Sequence, residues 1–498
     1  MPPRWTSAAR RWFLPGLVLA VLAGTNATSA VVLPPMDGDL GWQHWLGAHI
    51  LRSGLPHALG PESFAATGAP WVPQEWLFCS LLAAAAANGL AQLFAFAVGM
   101  CAAVALACVA IRCARHGCEP LPVALVLVFV DVAMAQSFGV RVQVVAWALL
   151  AAFLVALELP ARYRWTAVAV AAAWANVHAS AMLAPVLAAV AAAGSFIHGN
   201  RRAAGNDALL ALCCGLAVCA TPLGAALPEY AVALLRSPLR HWIHEWRPAS
   251  LADPALAFGL LPLLVLGAPA LRAGRWRALA LALPFCYLAW TAARNVPLAA
   301  IACAPLAAHA LTTLLPSLSA FRLAAGRLPA VTAAFAAAFF TAASVTAFAA
   351  HGARDERPLV AIQVLAHQPG RHRLFCENFA WCGPALDAGN IGVFLDGRAD
   401  PFPLAVWTQY DAVVHARPAW QHILRGRDVD AMLVTRGARL DRAARRTGWR
   451  IAYEAPVRLL IRPRKPPSGS PVGATHASPG AASAAPRNSP ARSRTPRA

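Results

Sequence analysis

Apolar runs of about 20 residues recur along the chain before Ala350, each long enough to cross a hydrocarbon core roughly 30 Å thick as a helix. Lipid offers no partners to backbone N–H and C=O groups, so a spanning segment must be a helix or part of a closed barrel. The runs lack the strict alternation of barrel strands, and helices are the expectation. Only 13% of the 498 residues are charged, against about 25% in a soluble domain. A formal charge of +20 invites nucleic acid. The arginines, however, gather in short loops between the runs and in the tail after Arg462, the footprint of membrane orientation rather than of a groove-binding surface. The lipid bilayer is the expected partner, and nucleic acid is not.

Placing Arg112 and Arg115, Arg162 and Arg164, Arg201 and Arg202, Arg272, Arg275 and Arg277, and Arg322 and Arg327 on the inner side predicts about eleven spans. They lie near 13–33, 90–111, 120–138, 142–159, 165–176, 179–198, 207–224, 255–271, 278–293, 296–316 and 329–350. The first follows Arg4, Arg10 and Arg11 and contains Ala27-Thr28-Ser29-Ala30, which resembles a cleavage site. It is read as an uncleaved span because so many others follow it. The N-terminus then faces the cytoplasm, and the chain after Ala350 lies outside, in the periplasm or at the exterior of a bacterium whose inner membrane holds the protein.

The expected fold class is a membrane all-α bundle over residues 1–350, with an outer loop at 34–89 and a small extracytoplasmic α/β domain at 351–462. In that domain Leu374-Phe375, Ile391 to Leu395, Ala431 to Val434 and Ile451 to Tyr453 read as strands, and Val406 to Val414 and Ala438 to Arg446 as helices. Residues 463–498 are Pro, Ser, Ala, Gly and Arg with almost no large apolar side chain, and are read as a disordered basic tail. Of twelve cysteines none forms a CxxC pair, so a zinc or thioredoxin-type site is unsupported. Cys376 and Cys382 fall in the outer domain, where an oxidising compartment lets them pair.

Chemistry concentrates in the first outer loop, which holds four carboxylates (Asp37, Asp39, Glu62, Glu75), three histidines (His44, His49, His57) and four tryptophans (Trp42, Trp45, Trp71, Trp76). Asp37 and Asp39 share a side of an extended chain. They either hold a divalent cation, Mg or Mn, or one of them removes a proton from an incoming hydroxyl. Asp39 alternatively N-caps the helix that starts near Leu40. Trp42, Trp45, Leu46, His49 and Ile50 form a helical stripe suited to the membrane surface, with His44 on another face as a ligand or proton carrier. Glu75 opens the next helix and is either a favourable charge at its dipole or a second acid of the Asp37 site. Arg294 and Arg141 either snorkel or bind phosphate, and Gln143, Asn176, His178 and Glu245 are further polar candidates at outer span ends.

The order Asp37-Gly-Asp39, Phe64-x-x-Thr67-x-x-Pro70-Trp71, Glu75-Trp76-Leu77, Arg141-Val-Gln143, Asn176-Val-His178, Glu245-Trp246 and Arg294-Asn295-Val-Pro297 resembles bacterial polytopic proteins of the GT-C glycosyltransferase fold. These relate distantly to protein O-mannosyltransferases and aminoarabinose transferases. Val393-Phe-Leu-Asp396-Gly-Arg398-Ala-Asp400 and Gly448-Trp449 extend the likeness through the C-terminal domain. Ala65 and Glu62 depart from it, standing where the group often has Ser and Asp. The resemblance implies sugar transfer from a polyprenyl-phosphate donor to an envelope glycan, lipid or protein on the outer face. It puts the catalytic aspartate at Asp37 or Asp39. A transporter, or a degenerate scaffold of the same fold, is the alternative; acids at the outer interface rather than at the bilayer midplane favour surface chemistry.

Overall fold

A computed structural model describes residues 12–32, 38–135, 137–271, 275–314 and 357–462. Asp37, the span expected at 329–350 and the tail 463–498 lie outside the described residues. Four described helical stretches are long and apolar enough to cross a membrane: Phe13–Val31, Ala91–Arg115, Ala179–Ile197 and Ala293–Leu314. The expectation of about eleven full spans is therefore corrected. Most of the other expected spans appear as apolar helices of 10–17 residues, among them Pro120–Ala135, Val142–Leu157 and Thr166–Ala175. Sixteen residues of helix reach only about 24 Å, and polar or proline-bearing ends such as Gln143, Glu158 and Pro160 trim each run.

Small residues let these helices approach closely. A Cβ on Gly99 would lie 2.7 Å from the Cα of Ala27, and one on Gly259 would lie 2.5 Å from the amide nitrogen of Ala133. Close backbone contact of this kind drives helix association where lipid supplies no hydrophobic force. Large apolar side chains such as Leu93, Phe96, Phe196, Leu212, Leu283 and Tyr287 face outward instead, as lipid-facing helices require. At one end of the bundle Arg112 is fully buried. Its Nε and Nη2 both donate to Glu158 Oε1, and its Nη1 donates to the Ile301 carbonyl, joining three helices.

The C-terminal domain carries a five-stranded mixed sheet of order β2-β1-β3-β5-β4, with β1 His372–Cys376, β2 Ile391–Val393, β3 Ala431–Thr435, β4 Arg450–Glu454 and β5 Val457–Ile461. Strand β1 runs parallel to β2 and β3; β5 is antiparallel to β3 and β4. Helices Leu404–Val414 and Arg439–Arg446 stand where the sequence predicts them. A disulfide joins Cys376 at the end of β1 to Cys382.

The first loop and this domain share one hydrophobic core. Trp42, Leu46, Leu59, Ala65, Ala66 and Trp71 are buried with Phe375, Val393, Phe394, Trp407 and Met432. The stripe on helix Leu40–Ser53 thus packs under the C-terminal domain, correcting the expectation that it lies on the membrane surface. The approach is close: a Cβ on Gly41 would sit 2.4 Å from the Pro384 nitrogen. The backbone joins as well, since the Val393 amide donates to the Glu62 carbonyl at 2.7 Å.

Candidate active site

Glu75 sits at the N-cap position of helix Trp76–Ala87 but makes no side-chain capping bond. Its two oxygens turn to glutamines instead. Gln43 Nε2 donates to Oε2 at 2.6 Å and Gln74 Nε2 to Oε1 at 2.8 Å. Gln74 in turn accepts the Ala179 amide at 2.7 Å, which fixes the loop to the turn that follows His178. Glu75 is only 6% exposed. Burial raises its carboxyl to about 7, against the opposing bond from Gln43 and with the charge of Asp400 adding to the rise.

Asp400 comes from the C-terminal domain. Burial lifts it, too, to about 7, opposed by its own amide and by a hydrogen bond with the Tyr230 hydroxyl. Arg294, in the 3-10 turn Ala293–Asn295, exerts its charge on Glu75, Asp400 and His178 alike. The imidazole of His178 is pushed down to about 3, first by burial and then by that arginine, and is therefore neutral. Its Nδ1 accepts the Ser180 amide at 3.1 Å.

Beside this group Glu245 lies between two arginines. Its Oε2 is 3.4 Å from Arg141 Nη1, and its Oε1 is 3.8 Å from Arg294 Nη1. Both distances exceed those of tight charge-assisted bonds, and all three side chains are partly exposed. The Arg294 guanidinium also lies over the Trp246 ring, 5.4 Å from its centroid. Gln143 Oε1 is buried with no hydrogen-bond partner among the described residues.

Asp39 does not cap its helix through its side chain; Oδ1 accepts the Trp42 indole N–H at 3.0 Å. The carboxylate lies against Gly397, where a Cβ would approach Oδ1 to 2.8 Å. Two expected site residues make contacts within the fold. His44 pairs with Asp387 at 2.9 Å, and that bond raises its imidazole. Asn176 Nδ2 donates to the carbonyls of Ala172 and Ala220, closing a helix end onto a neighbouring turn. Sequence reasoning gave no site role to Gln43 or Tyr230 and placed Asp400 only within a motif of the C-terminal domain. The signal for Asp400 was a second acid in Asp396-Gly-Arg398-Ala-Asp400, one more than the lone arginine of that motif needs.

Among the described residues no group of three or more His, Cys, Asp or Glu side chains is arranged to hold a metal ion. A magnesium-type site that draws its other ligands from phosphate and water needs only one or two carboxylates; of the expected pair, Asp39 is the one among the described residues.

The fold, a helical bundle with a β-containing C-terminal domain, is shared with solved oligosaccharyltransferase structures. The solved structures it resembles include the archaeal oligosaccharyltransferase AglB from Archaeoglobus fulgidus in complex with an inhibitory peptide and a dolichol-phosphate. There the TM-score is 0.59 at 11% identity, over 86% of this chain and 70% of that one. The Archaeoglobus fulgidus enzyme tethered to an acceptor peptide gives 0.57 at 11% identity over the same shares. Its complex with Zn and sulfate gives 0.54 at 11% identity, over 84% of this chain and 67% of that one. At this identity the likeness is one of fold. No protein-family model and no curated protein sequence matches the chain.

Proposed function

We propose that this chain is a membrane glycosyltransferase of the bacterial inner membrane. It takes a sugar from a polyprenyl-phosphate donor and transfers it to an envelope glycan, lipid or protein on the outer face. The observation that carries this reading is the meeting of buried acids with arginines: Glu75 and Asp400 lie within electrostatic reach of Arg294, beside the Arg141–Glu245 contact. A transferring glycosyl group leaves a lipid phosphate behind, and fixed cations where that charge develops are the largest single aid to such a reaction.

Arg294 and Arg141 neutralise the departing phosphate. Asp39 and Asp37 would hold a divalent cation. Such a cation, Mg or Mn, supplies charge neutralisation when bound. Glu75, locked by Gln43 and Gln74, fixes the loop that carries these acids. The fold of the Archaeoglobus enzyme, solved with a dolichol-phosphate, supports a lipid-phosphate donor.

The test is transfer by the purified full-length protein in vesicles supplied with a panel of polyprenyl-phosphate sugars, with and without Mg or Mn. Wild type transfers sugar, while Asp39→Asn and Arg294→Gln lose ~100-fold or more. A folded wild-type protein that transfers from no donor overturns the reading and leaves a scaffold or transporter.

A further inference from the structure

We propose that Asp400, delivered by the C-terminal domain, is a catalytic residue of this transfer and accepts the proton of the acceptor hydroxyl. The inference rests on the glycosyltransferase reading and assigns within it the group that activates the acceptor.

The backbone around Asp400 is held in an unfavourable shape. Ala399 has φ 58, a left-handed conformation that a residue with a Cβ rarely adopts. It costs on the order of 1 kcal/mol and persists only where the surroundings impose it. Here they do. Arg398 donates from Nε to Asp396 Oδ1 at 2.9 Å and from Nη2 to Asp396 Oδ2 at 2.5 Å. The Trp407 indole holds the Ala399 carbonyl at 3.3 Å, and the Asp400 amide turns back to the Arg398 carbonyl at 2.6 Å.

Asp400 is not needed to balance Arg398, which Asp396 already pairs. Its carboxylate instead lies within electrostatic reach of another acid, Glu75, an arrangement that costs stability and that active sites tolerate. The two acids differ in their partners. Both Glu75 oxygens accept amide hydrogens from glutamines. Asp400 has its own amide and the Tyr230 hydroxyl. A phenol can donate to a carboxylate or accept from a carboxylic acid, so Tyr230 orients Asp400 before and after proton transfer.

The step balances on these groups. The acceptor O–H proton passes to the Asp400 carboxylate as the acceptor oxygen bonds to the anomeric carbon of the sugar. The carbon–oxygen bond to the lipid phosphate breaks, and its electron pair leaves on the phosphate beside Arg294. The groups that face Asp400 are Tyr230, Glu75, Arg294 and Arg398.

The full-length enzyme in vesicles tests this with two variants. Asp400→Asn lowers kcat by ~100-fold or more, while the thermal shift induced by sugar-free polyprenyl phosphate stays as in wild type. Tyr230→Phe removes the bond that favours the charged carboxylate and moves the acidic limb of kcat/KM to higher pH. Transfer by Asp400→Asn within threefold of wild type, or an unmoved limb in Tyr230→Phe, overturns the role of Asp400 and leaves the transferase reading standing. Should Asp400→Asn fail to fold, the limb in Tyr230→Phe decides alone. A wild type that transfers no sugar sinks both.

Discussion

Gln43 Nε2 donates to Glu75 Oε2 at 2.6 Å, across a gap between the helix of the first loop and the start of the next helix. The bond opposes burial without overcoming it, and the Glu75 carboxyl rests near 7 against an ordinary 4.5. A raised carboxyl means that the folded state holds its proton more tightly than the unfolded chain. The associated stability is fully present below about pH 4.5 and is lost as pH rises through about 7, with a span on the order of 3 kcal/mol. Thermal unfolding in detergent between about pH 5 and pH 8 should show this fall. Glu75→Gln should flatten it, leaving the part due to Asp400; an equal slope in the variant would contradict the assignment.

Arg398 is 2% exposed and lies over the rings of Trp45, Trp71 and Phe402, with Ser63 Oγ 2.6 Å from its Nη2. It joins the loop to the C-terminal domain. Arg398→Met leaves Asp396 buried without its cation and should cost about 3–5 kcal/mol. The double variant Arg398→Met, Asp396→Leu should recover much of that. Melting temperatures of the four proteins in the cycle measure it.

Glu245 lies between Arg141 and Arg294, the pair proposed to neutralise the lipid phosphate. Glu245→Gln removes the competing charge. Its predicted effect is tighter binding of polyprenyl phosphate by about fivefold, roughly 1 kcal/mol, with a steeper loss of affinity on adding salt. Titration by thermal shift reads both. Weaker binding would mean that Glu245 positions the arginines rather than competing for them.

The disulfide between Cys376 and Cys382 closes a short loop. Loop entropy then sets its contribution at about 2 kcal/mol. Reductant should lower the melting temperature of wild type and leave Cys376→Ala, Cys382→Ala unaffected. A reductant response in the double variant would point to other thiols.

What the sequence made legible follows physical range. Strands β1, β2, β3 and β4 announce themselves through short apolar or β-branched runs, and helices through their period. Strand β5 was missed because Arg458 interrupts Val457 to Ile461; its charge is met by Asp441 and Glu454, which only the folded sheet brings near. The acids of the first loop stood out by local contrast with their apolar flanks. Asp400 did not, since what distinguishes it is proximity to Glu75 and Tyr230, residues far away in sequence. His44 looked like a ligand or proton carrier and Trp42 like a membrane anchor because nothing local reveals the domain that covers them.

The contact of Gly41 with Pro384 leaves no room for even a methyl group. A chimera that takes its C-terminal domain from another protein while keeping this loop would meet a steric mismatch at that seam and strand Trp42 and Trp71 in water. Any exchange of the sheet therefore has to carry residues 38–75 with it.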